Sequence, residues 1–302
     1  MMNNFISWMQ LRRRAWIGLT VLVLCGVSPA GHADTLRLKS PDGKYLNAEH
    51  HQGDRRRPAM LVLHGFLQTR EFLATQSIIS SLSTLGYTVI APNLSLGVSD
   101  RRQSMQCQAP HKHRFDDDLR EVGFWVEWLR RQGYPGVILV GHSWGSQHGL
   151  GYAEAYPQAP VSAVIAISLV RAEQPAAVHA RQVNQAETRA ARRDTSLQPY
   201  ALNFCKTYMA TPESYLSYAR WDDARVIESL TRLQQRKLPV YVVVGSQDKR
   251  IDDEWVQVLR RHTAQTTVID GANHFFSSVH EFELNDRLEA LIAQIHASAN
   301  GK

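Results

Sequence analysis

The sequence predicts an α/β domain built on a mostly parallel sheet with helices on both faces. Three observations point there. Short apolar, β-branched runs at 59–64, 87–91, 137–140, 161–167 and 240–244 are continuous rather than alternating, as strands buried on both faces require. Helical periodicity fills the intervals between them, and alternating strand and helix implies right-handed crossovers onto a parallel sheet. A chain of 302 residues is long enough to bury one large core and does not require two.

Taken in order, residues 1–33 read as a secretory signal peptide. Arg12, Arg13 and Arg14 precede an uncharged apolar run at 15–27, and Ser28-Pro29-Ala30 and Gly31-His32-Ala33 each offer small residues at −3 and −1 of a possible cleavage point. The apolar run is short for a membrane span, although retention as an anchor stays open. The domain proper is then 34–302, and no stable membrane span is expected once the signal is gone. Runs at 35–40 and 45–49 flank Pro41-Asp42-Gly43, a hairpin signal. Phe115, Leu119, Val122, Val126 and Leu129 share one helix face. Asp116, Asp117 and Asp118 occupy the first turn of that helix, Arg130 and Arg131 the last, and Gly133 follows. The acidic triplet is therefore read as helix-start chemistry. Between Ser168 and Pro239 no convincing strand appears. This stretch, approximately 170–236, reads as an inserted helical lid. Residues 266–269 suit a last strand, and Leu284, Leu288, Leu291, Ile292 and Ile295 mark a closing helix.

The run at 137–140 enters Gly141-His142-Ser143-Trp144-Gly145, a G-x-S-x-G elbow between a strand and a helix. Such a serine sits on a tight, strained turn, and flanking side chains would collide with neighbouring backbone. A serine hydroxyl needs a base to become nucleophilic. His274, in Gly271-Ala272-Asn273-His274 just past the last strand, is the expected base; His262 and His280 fall within helices. The histidine in turn needs an acid to hold its tautomer. Asp248, just past the 240–244 strand, is expected there, whereas Asp252 and Asp253 open the next helix. Acyl transfer also needs donors for a developing oxyanion. These are assigned to the Trp144 N–H and to the Phe66 N–H in the turn Leu63-His64-Gly65-Phe66. His64 is read as structural.

Together these residues resemble the α/β-hydrolase superfamily, from about Leu36 to the C-terminus. The stretch Asn93-Leu94-Ser95-Leu96-Gly97-Val98-Ser99-Asp100 with Cys107 is also similar to exported bacterial members of it. The resemblance implies the α/β-hydrolase fold and hydrolysis of an ester, thioester or amide through an acyl-enzyme on Ser143, with no cofactor. A small-molecule ester is the expected substrate. A peptidase or amidase with the same three residues, and a catalytically silent binding protein, are the alternatives.

Formal charge is +6, and removing the three arginines of 1–33 leaves +3, too mild to suggest nucleic acid as a partner. Cys25 lies in the signal. Cys107 and Cys205 form an even pair in a chain bound for an oxidising, periplasmic or extracellular compartment, and are expected to be disulfide-bonded. His111, His113 and Asp116 match no zinc spacing, so no metal is expected. Tyr200, Phe204, Tyr208, Tyr215, Tyr218 and Trp221 suit either an acyl pocket or the lid's own core. Arg181, Arg189, Arg192 and Arg193 read as a solvated helix face.

Overall fold

The computed structural model describes residues 33–172 and 174–300, with the side chains of 298–300 excepted. The expected signal segment, 1–33, lies outside the described residues except for Ala33, which opens the first strand. Eight strands form the main sheet: β1 (Ala33–Lys39), β2 (Tyr45–His51), β3 (Ala59–Leu63), β4 (Val89–Asn93), β5 (Val137–His142), β6 (Val161–Ile167), β9 (Val240–Gly245) and β10 (Gln265–Ile269). Their order is β1-β2-β4-β3-β5-β6-β9-β10. The β1–β2 and β2–β4 pairs are antiparallel, and every later pair is parallel. The expected α/β architecture is therefore present, with its hairpin on one edge.

The parallel strands are apolar throughout because both faces are covered. Leu61, Leu139 and Val242 point into one core with Trp125, Leu150, Leu230 and Trp255 from α2 (Phe115–Arg131), α3 (Trp144–Ala155), α6 (Asp223–Gln235) and α7 (Asp253–His262). Their neighbours Val62, Val140 and Val243 point into the other, against Ile78 of α1 (Leu73–Thr84) and Leu288 of α8 (His280–Asn300). Alternate residues thus serve opposite cores.

The segment between β6 and β9 departs from the sequence reading. Alongside α4 (Ala176–Ala191) and α5 (Pro212–Ala219) it holds an antiparallel hairpin, β7 (Gln198–Leu202) and β8 (Cys205–Ala210). The expectation of a purely helical insertion is corrected here. The reason is side-chain alternation in strands too short to show it: Tyr200, Leu202, Cys205, Tyr208 and Ala210 are buried, and Asn203 takes a left-handed φ of 51° at the turn. The hairpin is also paired on its outer side, since Met209 N–H donates to Cys107 O at 2.9 Å and His111 N–H to Met209 O at 2.8 Å. Cys107 and Cys205 are joined by a disulfide, spanning 98 residues of sequence. The last helix of the segment, α6, packs on α3 and α7 and leads the chain back onto the sheet.

Among the described residues no helix is long and apolar enough to cross a membrane, and no cluster of three His, Cys, Asp or Glu is placed to hold a metal ion. Asp116 instead faces Arg114 at 3.6 Å. The acidic triplet divides its work. Asp117 accepts from the Arg114 N–H at 2.7 Å and caps α2. Asp118 is wholly buried and accepts from His148 Nε2 at 3.1 Å and from the Tyr218 hydroxyl, so its role extends beyond the helix start.

Candidate active site

The site is assembled where β3, β5, β6, β9 and β10 end. β5 delivers Gly141 and His142, and α3 begins at Trp144, leaving Ser143 at the turn between them with φ 56° and ψ −123°. A non-glycine residue held there stores of order 1–3 kcal/mol of strain. The turn can be this tight because two positions lack side chains. A Cβ on Gly141 would lie 2.3 Å from the Gly145 carbonyl carbon, and one on Gly145 would lie 2.2 Å from Leu63 O. Backbone bonds finish the job: Ser143 N–H donates to Ile167 O at 2.8 Å.

The loop after β10 carries His274, and the turn after β9 carries Asp248. Asp248 Oδ2 accepts from His274 Nδ1 at 2.7 Å, and His274 Nε2 lies 3.0 Å from Ser143 Oγ. Since Nδ1 faces the carboxylate, it bears the proton, and Nε2 presents its lone pair to the serine. The structure thus brings together Ser143, Asp248 and His274 from sequence positions far apart. All three are nearly shielded, at 4%, 2% and 6% exposure. Burial pushes the Asp248 carboxyl up, but bonding from His274 and from the Arg250 N–H outweighs it and holds the group below the usual carboxylate range. Asp252 accepts from Trp255 N–H at 2.8 Å and caps α7. His262 ends α7 and His280 begins α8, as their helical setting suggested.

The turn after β3 lies against Ser143. A Cβ at Gly65 would sit 3.5 Å from that of Ser143, which places the adjoining Phe66 beside the elbow. The Phe66 ring meets the Trp144 ring edge-on at 5.5 Å. His64 is buried and locked within the scaffold. Its Nδ1 donates to Gly65 O at 2.9 Å, and its Nε2 accepts from Leu94 N–H at 3.1 Å and from Arg101 Nη2 at 3.0 Å. Burial, reinforced by the Arg101 charge, holds His64 well below the ordinary histidine range. Nearby, Glu121 accepts from Ser95 N–H at 2.7 Å, and burial pushes its carboxyl up to about 7.

Three residues that sequence reasoning passed over also shape the site. His142 donates from Nε2 to His274 O at 2.9 Å, and the Ser168 hydroxyl donates to the same carbonyl at 3.2 Å, so the loop bearing the imidazole is pinned by its backbone. Burial lowers His142 to about 4 and keeps it neutral. Arg250 reaches His274 Nε2 with Nη1 at 3.2 Å. His142 occupies the unspecified position of the elbow motif, and nothing in its spacing marked it.

The inserted segment supplies an aromatic wall. Phe66 packs against Phe204 at 5.7 Å, Tyr208 at 5.7 Å and Tyr218 at 6.0 Å, arrangements that suit the ring quadrupole. Tyr200 stacks on Tyr215 at 4.0 Å. Of the six aromatic residues singled out in this segment, Phe204 alone is substantially exposed, at 45%. The wall is therefore both the core of the inserted segment and a neighbour of the site. Arg181, Arg192 and Arg193 are exposed, and Arg189 pairs with Asp194 at 2.7 Å.

A family model described as the alpha/beta hydrolase family matches residues 60–290. No curated protein is significantly similar in sequence. Solved structures with a similar fold include Est1E from Butyrivibrio proteoclasticus, at 16% identity and a TM-score of 0.62, covering 87% of this chain and 99% of that one. A carboxylesterase structure from the ammonia-oxidising thaumarchaeon Nitrososphaera gargenis is 19% identical with a TM-score of 0.58, covering 87% of this chain and 100% of its own. The thioesterase domain from the curacin biosynthetic pathway is 19% identical with a TM-score of 0.56, covering 87% and 99%.

Proposed function

This chain belongs to the alpha/beta hydrolase family, and from that premise we propose that it is a serine hydrolase cleaving carboxylic esters or thioesters through an acyl-enzyme on Ser143. The observation that carries the reading is the contact of Ser143 Oγ with His274 Nε2 at 3.0 Å, with Asp248 holding the far ring nitrogen at 2.7 Å. Nothing simpler accounts for an unfavourable serine backbone conformation aimed at a tautomer-locked imidazole.

In the reaction, Ser143 Oγ attacks the carbonyl carbon as its proton passes to His274 Nε2. The imidazolium is steadied by Asp248, and the Phe66 and Trp144 N–H groups receive the oxyanion. Collapse of the tetrahedral intermediate breaks the bond to the leaving alcohol or thiol, which takes the proton from Nε2. Water then attacks the acyl-enzyme by the same route, giving the acid and restoring the serine. The aromatic wall of Phe66, Phe204, Tyr208 and Tyr218 suits a small to medium apolar acyl group. The disulfide suits an oxidising, exported setting. Carboxylesterase and thioesterase structures of the same fold support ester or thioester chemistry over other uses of it.

The test is labelling of the purified protein with a fluorophosphonate, peptide mapping of the adduct, and turnover of p-nitrophenyl esters against matched anilides. An adduct on Ser143 and ester turnover well above anilide turnover are expected. An unlabelled protein favours a silent binding role, and equal anilide turnover favours an amidase.

A further inference from the structure

In the proposed reaction His274 Nε2 hands its proton to the leaving oxygen as the acyl bond breaks, so the departing alcohol must lie against this imidazole. The wall assigned to the acyl group comes from Phe66 and the inserted segment. Next to His274 the surface comes from other elements. The Phe275 ring meets the His274 ring edge-on at 4.9 Å, and the Phe72 ring lies 5.4 Å from that of Phe275. Both phenylalanines are half-buried, so the pair leads from the imidazole out to solvent.

The apolar surface continues past the two rings. Phe72 precedes α1 and Val279 precedes α8. Each helix follows a strand that ends at the site, β3 or β10, and folds back over the same face of the sheet, where α1 and α8 pack on each other. Their starts therefore stand together at the edge that holds Ser143. Those starts carry Leu73, Val279 and Phe282, at 86%, 66% and 71% exposure the three most exposed large apolar side chains among the described residues. Single exposed apolar residues are ordinary, but three of them continuing a ring pair outward from the imidazole make a contiguous patch, and such patches mark binding surfaces. The position names the occupant: whatever lies here during turnover is attached to the leaving oxygen. Its charge is restricted as well. The charged side chains in the first turn of α8 are Glu281 and Glu283, which repel a leaving group bearing carboxylates or phosphates.

We propose that Phe72, Leu73, Phe275, Val279 and Phe282 form a shelf that receives the leaving alcohol, and that the substrates are esters of neutral, apolar alcohols, long-chain or aromatic. The inference rests on the serine hydrolase reading above and names the alcohol half of its substrate. Contacts made by the alcohol hold the ester with its leaving oxygen at Nε2, so binding energy remote from the carbonyl serves orientation at it.

The experiment measures acid release from n-alkyl acetates, ethyl to octyl, each below its solubility limit, with ethyl octanoate added to probe the acyl side. These acetates form one acetyl-enzyme and differ little in chemical reactivity, so their kcat/KM values report contacts made by the alcohol. Wild type should prefer octyl over ethyl acetate by about tenfold or more, less than full burial of the added methylenes would give, because a shelf covers one face of the chain. Leu73→Ser and Phe282→Ser, on exposed side chains outside the core, should each lower that ratio, and the double variant should bring it below about threefold. Tyr156→Ser, an exposed aromatic at the far end of α3, should keep it. A flat alcohol series in wild type, a steep series unchanged in the double variant, or a change confined to the ratio of ethyl octanoate to ethyl acetate overturns the proposal. A preference that arises only above the solubility limit would assign the patch to a lipid surface, and a wild-type dimer dissociated by the double variant would assign it to a second copy of the chain; either result overturns it too. Fluorophosphonate labelling of Ser143 and turnover of p-nitrophenyl acetate separate the two failures. If both proceed and the alcohol series is flat, only the shelf falls. If neither occurs, the serine hydrolase reading falls with it.

Discussion

Two regions meet at Ser143, and different forces order them. On the sheet side, the ends of β5, β6 and β9 hold the site through the main chain: Ser143 N–H on Ile167 O, Ser168 N–H on Val243 O, Asp248 N–H on Gly245 O. Glycines at 141 and 145 allow these segments to touch, and the His142 and Ser168 side chains add bonds to the His274 main-chain carbonyl. On the inserted side, between β6 and α6, the wall is a mosaic of rings and one disulfide. Its backbone ladder is a two-stranded hairpin, bonded on its outer side to Cys107 and His111. Geometry set by backbone is stiff and hard to alter without loss of the fold. Geometry set by side-chain packing is adjustable residue by residue. Under the proposed serine hydrolase function, the sheet side is suited to hold the chemistry and the inserted side to choose the acyl group.

Removing Ser143 tests the stiff half most severely. Ser143→Ala should lower kcat by about 10⁴-fold or more, with the melting temperature close to wild type, measured by ester turnover beside circular dichroism. Asp248→Asn should cost nearly as much, because the amide cannot hold the same imidazole tautomer. Activity near wild type in either would dissolve the comparison.

Opening the disulfide should divide the halves energetically. A Cys107→Ser, Cys205→Ser double variant should lose about 2–5 kcal/mol. Hydrogen exchange should speed up in residues 198–222 while 137–167 keeps its protection. Uniform loss across both segments would mean that the two halves unfold as one unit.

Glu121 probes the sheet side through pH. Its carboxyl is raised in the folded chain from 4.5 to about 7 by burial. Its contribution to stability is therefore fully present below 4.5 and lost as pH rises through 7. Against Glu121→Gln, which does not ionise, wild type should lose on the order of 3 kcal/mol between pH 4 and pH 8, read from urea midpoints. A pH-independent difference would show that burial does not govern this group.

The smallest effect belongs to the adjustable half. Phe204→Ala trims an exposed ring that touches Phe66. Esters with bulkier acyl groups should gain about three- to fivefold in kcat/KM, less than 1 kcal/mol, while acetate esters change little. A fall with every ester would make Phe204 part of the stiff half.

Much of the sheet side was legible in the sequence. Continuous apolar runs mark strands covered on both faces, and the glycines around Ser143 mark a turn that excludes side chains. Asp248 and His274 stand just past strand ends, where the topology gathers loops. Each of these signals is local, and short-range sterics and burial make them so. The hairpin at Gln198–Leu202 and Cys205–Ala210 escaped because five- and six-residue strands offer too little alternation to stand out from helical neighbours. The roles of His142, Ser168 and Arg250 could not be read at all. They depend on contacts across 132, 106 and 24 residues of sequence, respectively. By itself, then, the sequence determined which strands of the main sheet would form and which residues could do chemistry, since propensity, burial and turn sterics act over a few residues. Only the tertiary structure decided what surrounds the imidazole, because hydrogen bonds and charges act through space between residues whose order along the chain does not reveal their proximity.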